Sequence, residues 1–195
     1  MTTSTRRARE RAQRHQLIIT AARELAETEG WEAVTTRRLA ERVEYSQPVL
    51  YSHFGGKEGI VRAVALEGFT ELAVTLRRAG EAVPARGPAP VTRALRAVGG
   101  AYRDFAERHP ALYQAMFVMP TDLVFAHEET PPPLRDCFDA FTAVFAPADP
   151  RRAALAEAAW ASLHGLTVLA ANGRMPVAYQ AERIDLLVTR LTAGA

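Results

Sequence analysis

The residues of this chain whose types and spacing suit chemistry lie in one stretch, TTRRLAERVEYSQPVLYSHFGGK, from Thr35 to Lys57. The chemistry on offer is recognition rather than bond making. Gln47 carries an amide that can pair with adenine N6 and N7 at a base edge, and Pro48 and Val49 can pack on thymine methyls. Thr36, Tyr51, His53 and Lys57 supply hydroxyl, ring N–H and ammonium groups. Such groups grip phosphate oxygens and fix register without reading sequence. A short helix presenting them can enter the major groove with its first residues at the bases. Plainer readings stand beside these: Tyr51 as a half-buried core ring, and His53 as a local cap or core residue.

Two short helices must position this set. Thr35 or Thr36 can cap the first, whose inward face is Leu39, Ala40 and Val43. Glu44 and Tyr45 make the turn. Ser46 is placed to cap the second helix, with Pro48 in its first turn, where a missing N–H does little harm. Leu50 and Phe54 are its inward anchors, and Gly55-Gly56 ends it.

Before this pair, Leu17, Ile18, Ala21, Ala22 and Leu25 fall at helical spacing and predict a helix over 10–29, stopped by Gly30. Residues 1–9 read as a disordered basic arm. A long helix is expected over 57–79 and a Pro/Gly-rich loop over 80–90. Helices follow over 91–107 and after Pro110. A loop covers 120–133, since Pro131 to Pro133 are poor helix-interior residues. Helices are then expected over 134–145, 151–171 and 177–191. No period-2 strand pattern appears. The expected fold is all-α, about nine helices, with a three-helix unit over 10–56 and a second domain over 57–195 that takes the long helix as its connector.

The composition, 48% apolar and 24% charged over 195 residues, is that of a globular chain. No uninterrupted apolar run of about 18 residues predicts a membrane span, and no apolar segment follows the basic N-terminus as a secretory signal would require. The single cysteine, Cys137, fits a reducing cytoplasm. The net charge of +2 is uneven: residues 1–63 hold 11 Lys+Arg against 8 Asp+Glu, while the remainder is slightly acidic. A basic N-terminal third suits a polyanion. The five histidines form no metal-binding or catalytic spacing, and no phosphate loop or nucleophile elbow is present. These residues predict no enzyme, no metal and no cofactor.

The C-terminal part suggests regulation and self-association. Phe105, Tyr113, Met116, Phe117, Phe138, Phe141, Trp160 and His164 could line an apolar cavity for a small molecule, the alternative being ordinary core packing. The helix over 151–171 is apolar almost all round, which implies burial on more than one side. With the helix over 177–191 it could build a two-fold interface through Leu155, Leu163, Leu166, Ile184, Leu187, Val188 and Leu191.

Residues 10–70 resemble the TetR family of bacterial transcriptional repressors. The resemblance rests on Ala21-Ala22, Thr35-Thr36-Arg37, Leu39-Ala40, the run Ser46 to Phe54 and Lys57-Glu58. Trp160, His164 and Gly165 look like the Trp-His-Gly signature of one C-terminal subclass. The chain departs from the pattern at Glu44, where the family usually has Gly. The resemblance implies a cytoplasmic, nucleoid-associated homodimer that binds a palindromic double-stranded DNA operator and is released by a small-molecule effector. It also implies that Arg37 reaches a guanine. Two other readings stay open: a transcriptional activator, and a helical interaction protein without ligand control.

Overall fold

The computed structural model of the protein describes residues 3–84 and 89–193. Among them are nine α-helices and no strand. They run α1 (Thr3–Glu29), α2 (Thr36–Arg42), α3 (Gln47–Phe54), α4 (Lys57–Glu81), α5 (Pro90–Arg108), α6 (Pro110–Phe117), α7 (Pro132–Thr142), α8 (Arg152–Ala171) and α9 (Gln180–Leu191). Short 3-10 turns at Trp31–Ala33 and Val177–Tyr179 precede α2 and α9.

The first helix is longer than its apolar pattern. It starts at Thr3, so residues 3–9 are helical rather than a disordered arm, and Met1 and Thr2 lie outside the described residues. The segment contains no Gly or Pro. Arg6 pairs with Glu10 one turn later (2.8 Å), which supports an exposed helix that buries nothing. Helix α7 begins at Pro132, so Pro132 and Pro133 sit in a helix after all. They occupy its first turn, where the N–H has no intrahelical partner to lose. The loop expected over 80–90 falls partly on residues 85–88, outside the described residues.

The chain forms two units. The first comprises Met1–Gly68 and His109–Val124, and the second Phe69–Arg108 and Phe125–Ala195. The division differs from the expected boundary at residue 57, because α6 packs with the N-terminal helices. The physical reason is a clasp that no local pattern reveals. The N-cap residue of α6, His109, makes no side-chain cap hydrogen bond. Glu27 of α1 takes that place, accepting from the amides of Ala111 (3.1 Å) and Leu112 (3.0 Å). A carboxylate at a helix N-terminus meets both the orphan amides and the positive end of the helix dipole. Beside it the Trp31 indole N–H donates to the Ala111 carbonyl at 2.8 Å.

The core of the first unit joins Ile18, Ala22 and Leu25 of α1, Val34, Leu39 of α2, Leu50 of α3, and Ile60 and Val64 of α4. Gly68 lets α6 approach α4: a Cβ there would lie 2.5 Å from Met116 Sδ and 2.8 Å from a Leu112 methyl.

In the second unit α5 packs on α8 and α9. Gly99 marks the crossing, where a Cβ would sit 3.3 Å from Leu163 and 3.4 Å from Ile184. This corrects the expected association face. Leu163, Ile184 and Val188 are buried inside this chain and cannot meet a partner. Leu155, Leu166, Leu187 and Leu191 are half-buried. Helix α8 is long and apolar enough, by length and composition, to cross a membrane, although its apolar residues are interrupted by Glu157 and small polar residues. Yet only 22% of its most apolar window is buried within the chain.

Candidate nucleic-acid interface

Helix α2 starts where a threonine can cap it. Thr35 is extended, and its hydroxyl accepts from the Arg38 amide at 3.2 Å. Leu39 and Ala40 turn inward. The turn to α3 then takes a left-handed residue, Glu44 at φ 57°. Without a Cβ that conformation is free; with one it costs about 1 kcal/mol. The tight turn is therefore kept, with strain, at the position where glycine is absent.

Ser46 stands at the cap position of α3 but makes no side-chain cap bond, and Pro48 fills the first turn. Leu50 is fully buried and anchors the helix. Its opposite face carries Gln47, Pro48, Tyr51 and Ser52, all exposed. Tyr51, at 52% exposure, is not a core ring. Thr36, Val49 and His53 are half-buried at the edges of this face. Gly55, left-handed at φ 72°, closes α3 by donating its amide to the Tyr51 carbonyl at 2.8 Å.

Phe54, expected as a core anchor, is only half-buried. Its ring stacks on His15 of α1 at 4.4 Å, with His53 tilted against both. Burial, followed by the charges of Arg11, the neighbouring His15 and Arg14, holds the His53 pKa below the ordinary histidine value. That shift favours the uncharged ring, which can still hydrogen-bond a phosphate oxygen.

The other cations differ in their freedom. Arg37 is exposed and donates Nε to Glu41 one turn on, at 3.0 Å. It must leave that carboxylate to reach a base. Lys57 does not point outward. Its Nζ donates to the Trp31 carbonyl at 2.6 Å and ties the start of α4 to the turn before α2. The lysine thus has a structural role that sequence spacing did not show. Lys57→Met should destabilise the first unit by about 1–2 kcal/mol, the worth of a charged hydrogen bond. It should leave the salt slope of duplex binding unchanged. A slope flattened by about one unit with an unchanged melting temperature would return Lys57 to the phosphate set.

Two further pairs brace α2 on α1: Arg38 with Glu29 (2.9 Å) and Arg42 with Glu24 (3.0 Å). Sequence reading missed Glu24, Glu27, Glu29 and Trp31, because their partners lie on α2 and α6.

A family model described as bacterial regulatory proteins, tetR family, matches residues 18–64. A second, described as tetracyclin repressor-like, C-terminal domain, matches residues 95–192, half of the chain. The chain belongs to the TetR family. The N-terminal match is that family's helix-turn-helix domain, so α2 and α3 are the helix-turn-helix and α3 is its second helix. The second match makes no distinction that selects the Trp-His-Gly subclass.

An uncharacterised HTH-type transcriptional regulator of Mycobacterium tuberculosis is 34% identical over 103 residues, 53% of this chain and 44% of that protein. The class C tetracycline repressor of Escherichia coli is 48% identical over 48 residues, 25% of this chain and 22% of its own length. The matches therefore span less than half of these curated relatives. A protein of unknown function from Rhodococcus sp. RHA1 shares the fold with a TM-score of 0.72 at 23% identity, over 92% of this chain and 94% of that one. A TetR from Acinetobacter baumannii, solved with minocycline, superposes with a TM-score of 0.62 at 20% identity, over 91% and 93%.

The aromatic set expected to line a ligand cavity is divided between the two units of this TetR chain. Tyr113, Met116 and Phe117 belong to the first unit, and Phe105, Phe138, Phe141, Trp160 and His164 to the second. None lines the three clefts described in the two units. Phe105 and Phe141 are core, and Tyr102, wholly buried, reaches His164 Nδ1 at 3.4 Å and packs on Phe141. Large flat rings at helical spacing fill the space between helices instead of surrounding a void.

One cleft of the second unit is lined by other residues and measures about 490 Å³. Four helices contribute: Leu76 and Gly80 from α4, Ala94 from α5, Asp139 and Ala140 from α7, and Arg152 from α8, with Ala143 just past the end of α7. Small side chains at the helix crossings leave this space, and sequence periodicity reads such residues as packing, not as a void.

Proposed function

We propose that this TetR-family regulator acts as a homodimer on a two-fold symmetric DNA operator, represses transcription there, and is released by a small molecule in the cleft of the second unit. The observation that carries the reading is the exposed face of α3. Gln47, Pro48 and Tyr51 project from a helix locked by Leu50 and held by a capped α2, the geometry a groove reader needs. Gln47 reads an adenine edge, with Pro48 and Val49 on thymine methyls and Arg37 on a guanine once it leaves Glu41. Thr36, Tyr51 and His53 hold phosphates.

Self-association follows from α8. An apolar helix left mostly uncovered in its own chain needs a second cover. Its exposed positions Ala154, Ala158 and Ala161 are small and let another helix approach closely, and Leu169 of α8 and Leu186 of α9 are exposed apolar residues. Two helices from each subunit would make a four-helix interface. Two α3 helices then meet half-sites roughly 34 Å apart.

Release by an effector uses α4, one continuous helix whose first residues belong to the first unit and whose last residues line the second unit's cleft. A ligand that fits the cleft in only one of two α4 positions would shift the equilibrium between them. The mixed lining suits a largely apolar molecule with a polar group for Asp139 or Arg152. The protein acts in the cytoplasm, where chromosomal DNA lies.

Sedimentation of the protein at micromolar concentration, alone and with duplexes selected from a random pool, tests the proposal. The expected result is a dimer and a two-fold symmetric selected site, with log affinity falling against log salt by about 0.9 per phosphate contact. A stable monomer, or selected sites without symmetry, would overturn it.

A further inference from the structure

We infer that the first unit holds a second small-molecule site, a cleft behind the recognition helix that takes an aromatic cation of the amidine or ammonium class. The site goes beyond the effector cleft of the second unit and shares no residue with it.

The cleft measures about 730 Å³, within the range of roughly 300–1,000 Å³ typical of small-molecule sites. Four segments wall it: α1, the last turn of α3, the first turns of α4, and the chain just after α6. His15, His53 and Phe54 form an aromatic wall, with His15 stacked on Phe54 and His53 tilted against both. Gly59, Ala63 and Leu66 form an apolar floor on α4. A flat ring system finds both an aromatic edge and small side chains there.

The polar groups decide the sign of the ligand's charge. The charge of Arg62 is matched by Asp122, whose carboxylate accepts from its Nε at 2.9 Å. Glu58 also lines the cleft, and among the described residues it takes no ion-pair partner. Thr121 adds a hydroxyl. Burial, then Arg11, His15 and Arg14, lower the His53 pKa and favour its uncharged ring, which adds one ring-nitrogen acceptor and one N–H donor. Those two arginines are not part of the lining. The lining therefore holds two carboxylates, Glu58 and Asp122, against the one guanidinium of Arg62. A ligand rich in N–H donors and carrying positive charge satisfies them; an anion would meet Glu58 and Asp122.

The site also touches the DNA-reading element. His53 and Phe54 are the last two residues of α3, and Glu58 and Gly59 open α4. A bound molecule would rest on the joint between them.

The test needs no DNA, so its outcome is independent of the operator proposal. The fluorescent aromatic amidine diamidinophenylindole is titrated into the full chain, against the anionic dye anilinonaphthalene sulfonate. The expected result is saturable binding of the amidine, one per chain, and weaker binding of the anionic dye. Glu58→Gln should weaken the amidine about two- to fivefold, the effect of one solvent-accessible ion pair. Ala63→Phe, which fills the floor, should remove binding, while Ala143→Phe in the second unit's cleft should leave it unchanged. If Ala63→Phe does not fold, Glu58→Gln decides, since Glu58 is exposed. No saturable binding, preference for the anionic dye, indifference to Glu58→Gln, or loss in Ala143→Phe would each overturn the inference.

Discussion

Gly59→Ala should unsettle the joint between α3 and α4 more than any other single methyl group in the first unit. Gly59 lies in the first turn of α4, and the Phe54 carbonyl sits directly against its Cα. A Cβ built there overlaps that oxygen and crowds the Phe54 backbone behind it. The obstacle is backbone, not the end of a flexible side chain, so relief requires α3 or α4 to move. Neither is free to do so. Leu50 locks α3 in the core, and Lys57 ties α4 to Trp31. Overpacking of this kind costs about 1–3 kcal/mol or more, a fall in melting temperature of roughly 4–10 °C for a chain of this size. Circular dichroism melts would show it. Operator affinity should also fall at temperatures where the variant is still folded, since the last turn of α3 shifts. The control is Gly100→Ala in α5, where no atom lies within 4 Å of the new Cβ. There a helix-interior glycine is replaced by a better helix former, and stability should stay level or rise by up to about 1 kcal/mol. Equal melts for the two variants would show that the close contact carries no strain.

Gln47→Ala has the largest expected effect on recognition. Gln47 is exposed at the first position of α3 and is not part of the core, so stability should not change. What is lost is a bidentate contact to one base, about 1–3 kcal/mol on the cognate site, with relaxed preference at that base pair. Binding to random duplex, which depends on phosphate contacts, should barely move. A competition assay over single-base variants of the selected site would resolve this. A uniform loss on all sequences would place Gln47 among the phosphate contacts instead.

Much of the fold could be read directly. Leu39, Ala40 and Leu50 announced the inward faces of α2 and α3, and Thr35 the start of α2, because caps and apolar periodicity are local properties. Even the strained turn was visible, as a glutamate where glycine would be unstrained. The family was legible for the same reason: its motif is contiguous and lies within residues 18–64.

The candidate regulatory residues were not legible. Phe141, Tyr113 and Trp160 have the types a pocket uses, but core and pocket draw on the same apolar side chains. Only the packing of several helices shows where a void remains. The void in the second unit is set by what is small, Gly80, Ala94 and Ala143, not by what is large. Leu163 and Ile184 looked like an association face because they repeat at helical spacing. Gly99 of α5 brings a helix against them, and a contact that far along the chain has no trace in their own spacing.

The sequence by itself determined most of the helices, the cap of α2 and the side chains that α3 leaves exposed. Each depends on interactions within a turn or two of the backbone. The tertiary structure decided what the remaining polar groups do. It put Lys57 on the Trp31 carbonyl, Glu27 on the amides of α6, and Glu58 in a cleft beside His53 and Phe54. A charged side chain looks the same in sequence whether it faces solvent, a helix end or a ligand. Its role is fixed by partners that folding brings from elsewhere in the chain.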